Sequence, residues 1–409
     1  MRLPEGVLVS VCGYLALLTG AAWWAKQRGA ARTAVAATPS HRFVVLIPAH
    51  DEERLIGSAL DSLAALDYPE ALVTTHVVAD NCSDGTASIA RAHGVEVHER
   101  IAPDDGGKGL ALQWLLGRLR ERGEPHDAVV IIDADTTVSP NFLRVMDAKL
   151  SAGAEVVQSY YAVRDAEASS TAGFRSAALA VRHYLRPLGR TQLGGSAGLH
   201  GNGMVFTAAA LAAHRWSNHL TEDIELQLEL LLDGTRVAFA PDAVVQAEMP
   251  ATVDASQTQH ERWERGRLEM TQRYVPALLR RAATARGRDR FAYVDAAVDQ
   301  LLPPFSVIVA ATTAWTAMTL GVAVVARSRR RPRVGVAIML VAAQAGYVVS
   351  GLRMVSAPPA VYRSLLTAPR LVVWKVRLWL GMIGRRRDVA WVRTARNDDG
   401  REQAEMARR

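Results

Sequence analysis

Cysteine is almost absent from this chain: there are two in 409 residues, Cys12 and Cys82. Cys12 falls in an apolar run and Cys82 in a polar turn, so no disulfide is expected between them. The polar part of the chain is then expected in a reducing, cytosolic compartment. The Walker pattern Gly-X-X-X-X-Gly-Lys-Ser/Thr is also missing, which argues against a P-loop ATPase. Zinc-finger spacing and aromatic RNA-binding signatures are absent too. The net charge of +7 is therefore not read as affinity for nucleic acid. No internal repeat stands out. The arginine clusters flank apolar runs, a placement that suits anionic lipid headgroups.

Long apolar runs are present, at the two ends. Residues 6–25 form one of bilayer length, closed by Trp23-Trp24 and followed by Lys26, Arg28 and Arg32. The positive flank places the N-terminus outside. A cleaved signal peptide, with Ala34-Val35-Ala36 as its site, is the rival reading. Residues 301–326 and 334–352 are two further spans. The basic stretch 327–333 between them would lie outside, against the positive-inside rule, so a re-entrant hairpin is the alternative to two crossings. Residues 365–383 mix Trp374 and Trp379 with Arg370, Lys375 and Arg377, the pattern of a helix lying on the inner leaflet or on the soluble domain. The expected organisation is an N-terminal span (1–32), a catalytic domain (40–270), an amphipathic connector (271–300), two spans (301–352), an interfacial segment (353–396) and a disordered tail (397–409).

Between the spans, strand and helix patterns alternate. Residues 43–47 read as a buried strand stopped by Pro48, 76–79 and 95–98 as strands two and three, and 128–132 as the fourth. Helical periodicity covers 52–65, 86–93 and 108–122. This order predicts an α/β fold, a doubly wound and mainly parallel sheet. Ligands in such sheets bind beyond the carboxyl ends of the strands. Those ends carry His50-Asp51-Glu52-Glu53, Asp80 and Asp133-Ala134-Asp135.

Each polar cluster has a plain reading and a chemical one. Asp133-Ala134-Asp135 is a solvated turn, or two carboxylates for Mg²⁺ or Mn²⁺ bridging phosphates. Asp80 is a turn residue, or a hydrogen-bond acceptor for a base or ribose. Asp84 is read as a turn or cap. Lys108, after Gly106-Gly107, opens a helix and suits a diphosphate. Thr221 is a natural cap, and the acids of Thr221-Glu222-Asp223 suit a helix start; Asp223 is also placed to act as a base. The turn 198–203, with Asn202 and Gly203, is a tight turn or a backbone surface for a ligand. Gln259-His260-Glu261-Arg262-Trp263 is a charged helix, or a pyrophosphate clamp (Arg262) with a sugar-stacking indole (Trp263). Residues 174–188 form a basic amphipathic stretch suited equally to membrane surface and to packing on the domain.

Taken in order, these clusters resemble the family 2 glycosyltransferases, in the membrane-integrated branch of cellulose, hyaluronan and poly-N-acetylglucosamine synthases. The likeness runs from about Phe43 to Trp263. It implies a GT-A fold, a UDP-sugar donor and an inverting displacement forming a β-linkage at the cytoplasmic membrane face. By the resemblance, Ala49, Glu52 and Asp80 hold uridine, Lys108 and Arg262 meet the diphosphate, and Asp133 sits by ribose and phosphates. Asp135 with Asp133 binds Mg²⁺ or Mn²⁺, Asp223 is the general base, and Glu222, Gln259, Trp263, Asn202 and Gly203 line the acceptor site. Two motif positions differ: Asp51-Glu52 stands for Asn-Glu, and Gln113 for Asn. The expected acceptor is a growing polysaccharide. Three spans are few for an export channel, so a membrane partner subunit, or a glycolipid synthase with a lipid acceptor, is the alternative. A non-catalytic nucleotide-sugar-binding subunit would be expected to lack the base or a metal ligand.

Overall fold

The computed structural model describes residues 2–29, 32–33, 38–214, 216–217, 219, 221–248, 257–325 and 331–382, without the side chains of 2–3, 257–262, 325, 331–332 and 382. Ala34-Val35-Ala36, the stretch 326–330, Arg385 to Arg387 and the tail 397–409 lie outside the described residues.

Eight strands build one sheet: β1 (Phe43–Ala49), β2 (Val73–Asp80), β3 (Glu96–Arg100), β4 (Ala128–Ile131), β5 (Thr136–Val138), β6 (Val156–Val163), β7 (Met204–Thr207) and β8 (Val237–Ala247). Their order is β3-β2-β1-β4-β7-β6-β8-β5. β1 pairs in parallel with β2 and β4, β2 with β3, and β6 with β8; β4–β7, β6–β7 and β5–β8 are antiparallel. The expected mainly parallel α/β sheet is present. Strand order reverses between β1 and β4, the position where such sheets open a crevice.

Strand β1 alternates between the two faces. Val44 and Leu46 enter one core with Leu112, Ile131 and Phe206, whereas Phe43, Val45 and Ile47 enter the other with Ile56, Phe142 and Met146. Pro48 does not stop the strand, which runs on to Ala49. The Leu46 carbonyl accepts from Ile132, so even-numbered residues of β1 face β4. β4 pairs with β1 only as far as Leu46, so the missing Pro48 N–H breaks no ladder bond.

The first core also takes Leu15, Ala22 and Ala25 from the helix Arg2–Gln27, and Tyr347 and Met354 from the helix Arg331–Met354. The apolar helices thus share a core with the sheet. Gly189 shows how close they come: a Cβ there would lie 2.3 Å from the Leu18 carbonyl oxygen. Three helices, Pro4–Gln27, Phe305–Val324 and Arg333–Met354 in their apolar parts, are long and apolar enough to cross a membrane. The C-terminal pair, 21 and 24 residues long, would measure about 31 and 36 Å, each long enough for one bilayer crossing.

Residues 271–300 belong to two helices, Gln257–Thr284 and Gly287–Leu301. They pack on the helix Glu222–Leu232 through Met270, Leu278, Ala296 and Leu231. The stretch 174–188 is not one helix but two, Ser170–Leu179 and Arg186–Gln192, joined by a π-helical turn at Ala180–Leu185. Arg186 turns inward and pairs with Asp299 at 2.5 Å. The helix Ala368–Met382 lies against the helices Phe305–Val325 and Gln257–Thr284.

Candidate active site

The acids expected at the strand ends converge at the β1/β4 crevice. After β4 the chain turns through Asp133, whose carbonyl accepts from the Thr136 N–H at 3.1 Å. The Asp-Ala-Asp segment is therefore a turn and also the rim of the crevice. Beneath it lies Asn202, fully buried. Its Oδ1 accepts from the Asp133 N–H at 3.2 Å and its Nδ2 donates to Thr136 Oγ1 at 2.8 Å. Thr136 Oγ1 donates in turn to Asp135 Oδ1 at 3.0 Å. Both ends of the Asn202 amide are engaged, so it braces the acidic turn from below. Gly203 is likewise a packing position: φ is +65°, and a Cβ would fall 2.0 Å from Ser159 Oγ.

Lys108 opens the helix Lys108–Arg122 and reaches across the crevice. Its ammonium donates to the Asp133 carboxylate and to the Gly201 carbonyl, tying the acidic turn to the glycine turn. Burial pulls its pKa down, but the charges of Asp133, Glu222 and Asp223 outweigh burial and the net shift is upward. The lysine stays charged. Gly109 is required by space, since a Cβ would lie 2.3 Å from the Ser217 carbonyl oxygen.

Asp223 sits in the first turn of Glu222–Leu232, where Oδ1 accepts from the Ile224 N–H at 2.8 Å. Its other oxygen lies 3.4 Å from where a Cβ on Gly201 would stand, with Lys108 Nζ at 3.9 Å from the same point. Asp223 and Lys108 thus flank one glycine, and Lys108 joins Asp133 to it. Burial raises the Asp223 pKa, while the Ile224 N–H, Lys108 and Arg182 pull it back down. Thr221 is not the cap it was expected to be. Its hydroxyl makes no capping bond and is buried without a partner among the described residues, because the side chain is pressed against Gly266 of the neighbouring helix.

Asp80 stands at the end of β2 as expected, but its carboxylate is committed. Arg100 Nη1 donates to Oδ1 at 2.6 Å, and the Gly107 N–H approaches Oδ2 at 3.3 Å. Both side chains are 7% exposed, so a nucleoside would meet Asp80 only by displacing these donors. Ala49 is buried beside it, and the Glu52 N–H donates to Thr86 Oγ1 at 2.8 Å. Asp84 accepts from the Thr86 N–H at 2.9 Å, the turn role expected for it. Trp263 is 43% exposed on the helix Gln257–Thr284. Gln259 and Arg262 are on the same helix, and their side chains lie outside the described structure.

Several residues were missed. Arg100 is one. Gln158 is another: fully buried, it holds the glycine turn by donating to the Asn202 carbonyl at 2.8 Å and accepting from the His200 N–H at 3.0 Å. His200 stacks on His183 with centroids 4.1 Å apart, and His183 on Tyr161 at 5.3 Å. Burial, with Arg182 and Arg190, pushes His200 down to about 3, and burial takes His183 well below its usual value. Both imidazoles are neutral at pH 7.

An oxygen-only pair such as Asp133 and Asp135 fits a hard cation. Among the described residues, three ligand atoms also come within 4.8 Å of one another at Asp51, Cys82 and Asp84. Burial raises the Cys82 thiol there, which disfavours the thiolate a soft metal needs.

This crevice and sheet define a GT-A fold, and the chain belongs to the glycosyltransferase-like family 2, whose model matches residues 39–266. The chain is similar to a beta-monoglucosyldiacylglycerol synthase of Synechocystis sp., 29% identical over 240 residues, covering 56% of this chain and 48% of that protein. The synthase of the same name from Trichormus variabilis is 28% identical over 230 residues, covering 54% and 48%. A probable glycosyltransferase of Bacillus subtilis, YdaM, is 26% identical over 231 residues, covering 54% of each. The chain spans about half the length of these curated relatives. Among solved structures, the mannosyltransferase PcManGT from Pyrobaculum calidifontis, in complex with GDP-Man and Mn²⁺, covers 86% of this chain and 98% of its own. Its TM-score of 0.54 at 18% identity speaks for the fold alone.

Proposed function

We propose that this protein is an inverting, membrane-bound glycosyltransferase that moves a sugar from a nucleotide diphosphate to a hydroxyl of a lipid acceptor. The observation that carries it is the meeting of Asp223 and Lys108 at Gly201, with Asp133 tied in through the Lys108 ammonium, in a domain sharing its core with bilayer-length helices. The glycolipid reading has better support than polysaccharide synthesis, because two of the curated relatives reported above are named as glycolipid synthases.

In this reading Asp223 takes the proton of the acceptor hydroxyl. The freed oxygen attacks the anomeric carbon, forming the glycosidic bond as the bond to the diphosphate breaks on the opposite face, which yields a β-linkage from an α-linked donor. Lys108 faces the leaving nucleoside diphosphate. Asp135 with Asp133 would hold Mg²⁺ or Mn²⁺, which when bound neutralises diphosphate charge. Trp263 offers an exposed ring face to the acceptor side, with Gln259 and Arg262 on the same helix. The proposed site of action is the cytoplasmic face of the cell membrane.

The test pairs Asp223→Asn with the wild type in a panel of UDP- and GDP-sugars plus lipid extract, with products read by mass. One sugar on a lipid is expected from the wild type. Transfer by Asp223→Asn should fall by about 10²- to 10⁴-fold with UDP binding retained. Long saccharide chains would refute the lipid acceptor, and full turnover by the variant would refute the base.

A further inference from the structure

The π-helical turn Ala180–Leu185 touches the candidate site on one side and a membrane-length helix on the other. His183 stacks on His200, the neighbour of Gly201. Val181 meets Gly351 so closely that a Cβ on that glycine would lie 2.7 Å from Val181 Cγ1. Gly351 is near the end of the helix Arg331–Met354. Arg182, between these two contacts in the chain, is exposed. It stands where the Asp223 groove meets the membrane helices, and its charge acts on Asp223, Arg267 and Lys375.

The cations around it are engaged. Arg190 pairs with Asp295 at 2.6 Å and with Asp299 at 3.5 Å, and Arg186 with Asp299. Arg267 donates to the carbonyls of Asp299, Gln300 and Leu302. Lys375, on the helix Ala368–Met382, pairs with Glu264 at 3.2 Å, one residue from Trp263. Arg182 makes neither an ion pair nor a hydrogen bond among the described residues. Among the described residues, five cations, Arg182, Arg186, Arg190, Arg267 and Lys375, thus stand near four carboxylates, Asp223, Glu264, Asp295 and Asp299. The surplus is felt locally: burial first, then Arg182, lowers Arg267 to about 10, and burial with Arg182 and Arg267 also lowers Lys375. Positive charge in local excess over carboxylates is relieved by an anion.

We propose that Arg182, backed by Arg267 and Lys375, receives the phosphate of an anionic lipid headgroup at the membrane-facing rim of the Asp223 groove. A planar guanidinium suits a phosphate through two parallel N–H bonds. The inference extends the lipid-acceptor reading, but its test requires no sugar transfer.

The full chain, in a neutral detergent, is titrated with dihexanoyl phosphatidic acid, dihexanoyl phosphatidylcholine and inorganic phosphate, with tryptophan fluorescence as readout. The wild type should bind phosphatidic acid at least about tenfold more tightly than either other probe. Arg182→Gln should weaken that binding about tenfold or more, and Arg182→Lys should retain part of it. Arg118→Gln, on the helix Lys108–Arg122, is the remote control and should leave it intact. UDP affinity, measured in parallel, should be the same in Arg182→Gln and wild type. Wild-type binding of phosphatidic acid by Arg182→Gln would overturn the proposal. So would an equal loss of UDP affinity, which would make the anion the donor's diphosphate, or equal binding of inorganic phosphate, which would make it a free-phosphate site. Failure of transfer to every lipid would sink the lipid-acceptor reading and leave the binding result standing.

Discussion

Arg100→Met isolates the pair that holds the nucleotide side of the crevice. Arg100 is 7% exposed, and its Nη1 lies 2.6 Å from Asp80 Oδ1. Its Nη2 donates to the Asp105 carbonyl at 2.7 Å and approaches the Asp105 carboxylate at 3.2 Å. The Asp105 side chain is 64% exposed, so that second ion pair adds less than about 1 kcal/mol. The large term is Asp80, which methionine leaves buried with no cationic partner, at a cost of about 3–5 kcal/mol. For a domain of this size each kcal/mol lowers the Tm by about 2–4 °C, so a fall of about 6–20 °C is expected. Thermal unfolding of the full chain in detergent, followed by tryptophan fluorescence, reads it directly. Asp80→Asn combined with Arg100→Met should recover part of the loss, because the double variant no longer buries a lone carboxylate. UDP affinity should also fall in the single variant, since Asp80 also meets the Gly107 N–H just before Lys108. A Tm within about 2 °C of wild type would refute the reasoning. So would a double variant as unstable as the sum of the singles.

Three further outcomes are expected. Asp135→Ala should lose the gain in UDP affinity that Mn²⁺ confers, by about tenfold or more, with EDTA making wild type resemble the variant; an intact Mn²⁺ response removes the metal assignment. Asp147 is 2% exposed and gathers the His41 imidazole at 2.6 Å, the His41 and Ser40 N–H groups and the Tyr68 hydroxyl. Burial opposes its ionisation, but these donors outweigh burial and hold its pKa below the usual value. The stability it confers is therefore complete above the unfolded value of about 3.9 and is lost as pH falls through the lower folded value. Asp147→Asn should melt below wild type at pH 7, the two converging toward pH 3, and a constant gap would contradict this. Thr221→Val should leave the Tm unchanged or raise it, because the orphaned hydroxyl contributes no cap; a loss of about 1 kcal/mol, usual for a true N-cap, would restore the capping role.

How much of this was legible follows from the range over which each signal acts. Strand β1, the helix Lys108–Arg122 and the bilayer-length helices are written in local periodicity, which depends on neighbours in the chain. The acids at 133, 135 and 223 were legible too, since strand ends and helix starts are local features and a parallel sheet gathers them on one edge. Arg100 gave no signal: it is an ordinary charge at the end of an edge strand until β3 pairs with β2 and brings it against Asp80. The same holds for Asn202, which resembled a ligand-facing turn residue until β7 paired beside β4 and set it under the acidic turn.

The sequence alone determined the alternation that forces an α/β sheet, the apolar lengths that match a bilayer, and the residue types available to a transferase. Tertiary structure decided which charges meet. It joined Lys108 to Asp133, buried Asn202 as a brace, withdrew Thr221 from its cap, and left Arg182 exposed with no ion pair among the described residues. Hydrophobic periodicity is set by backbone geometry and can be read along the chain, whereas the energy of a charge depends on its distance to partners that only the folded topology brings near.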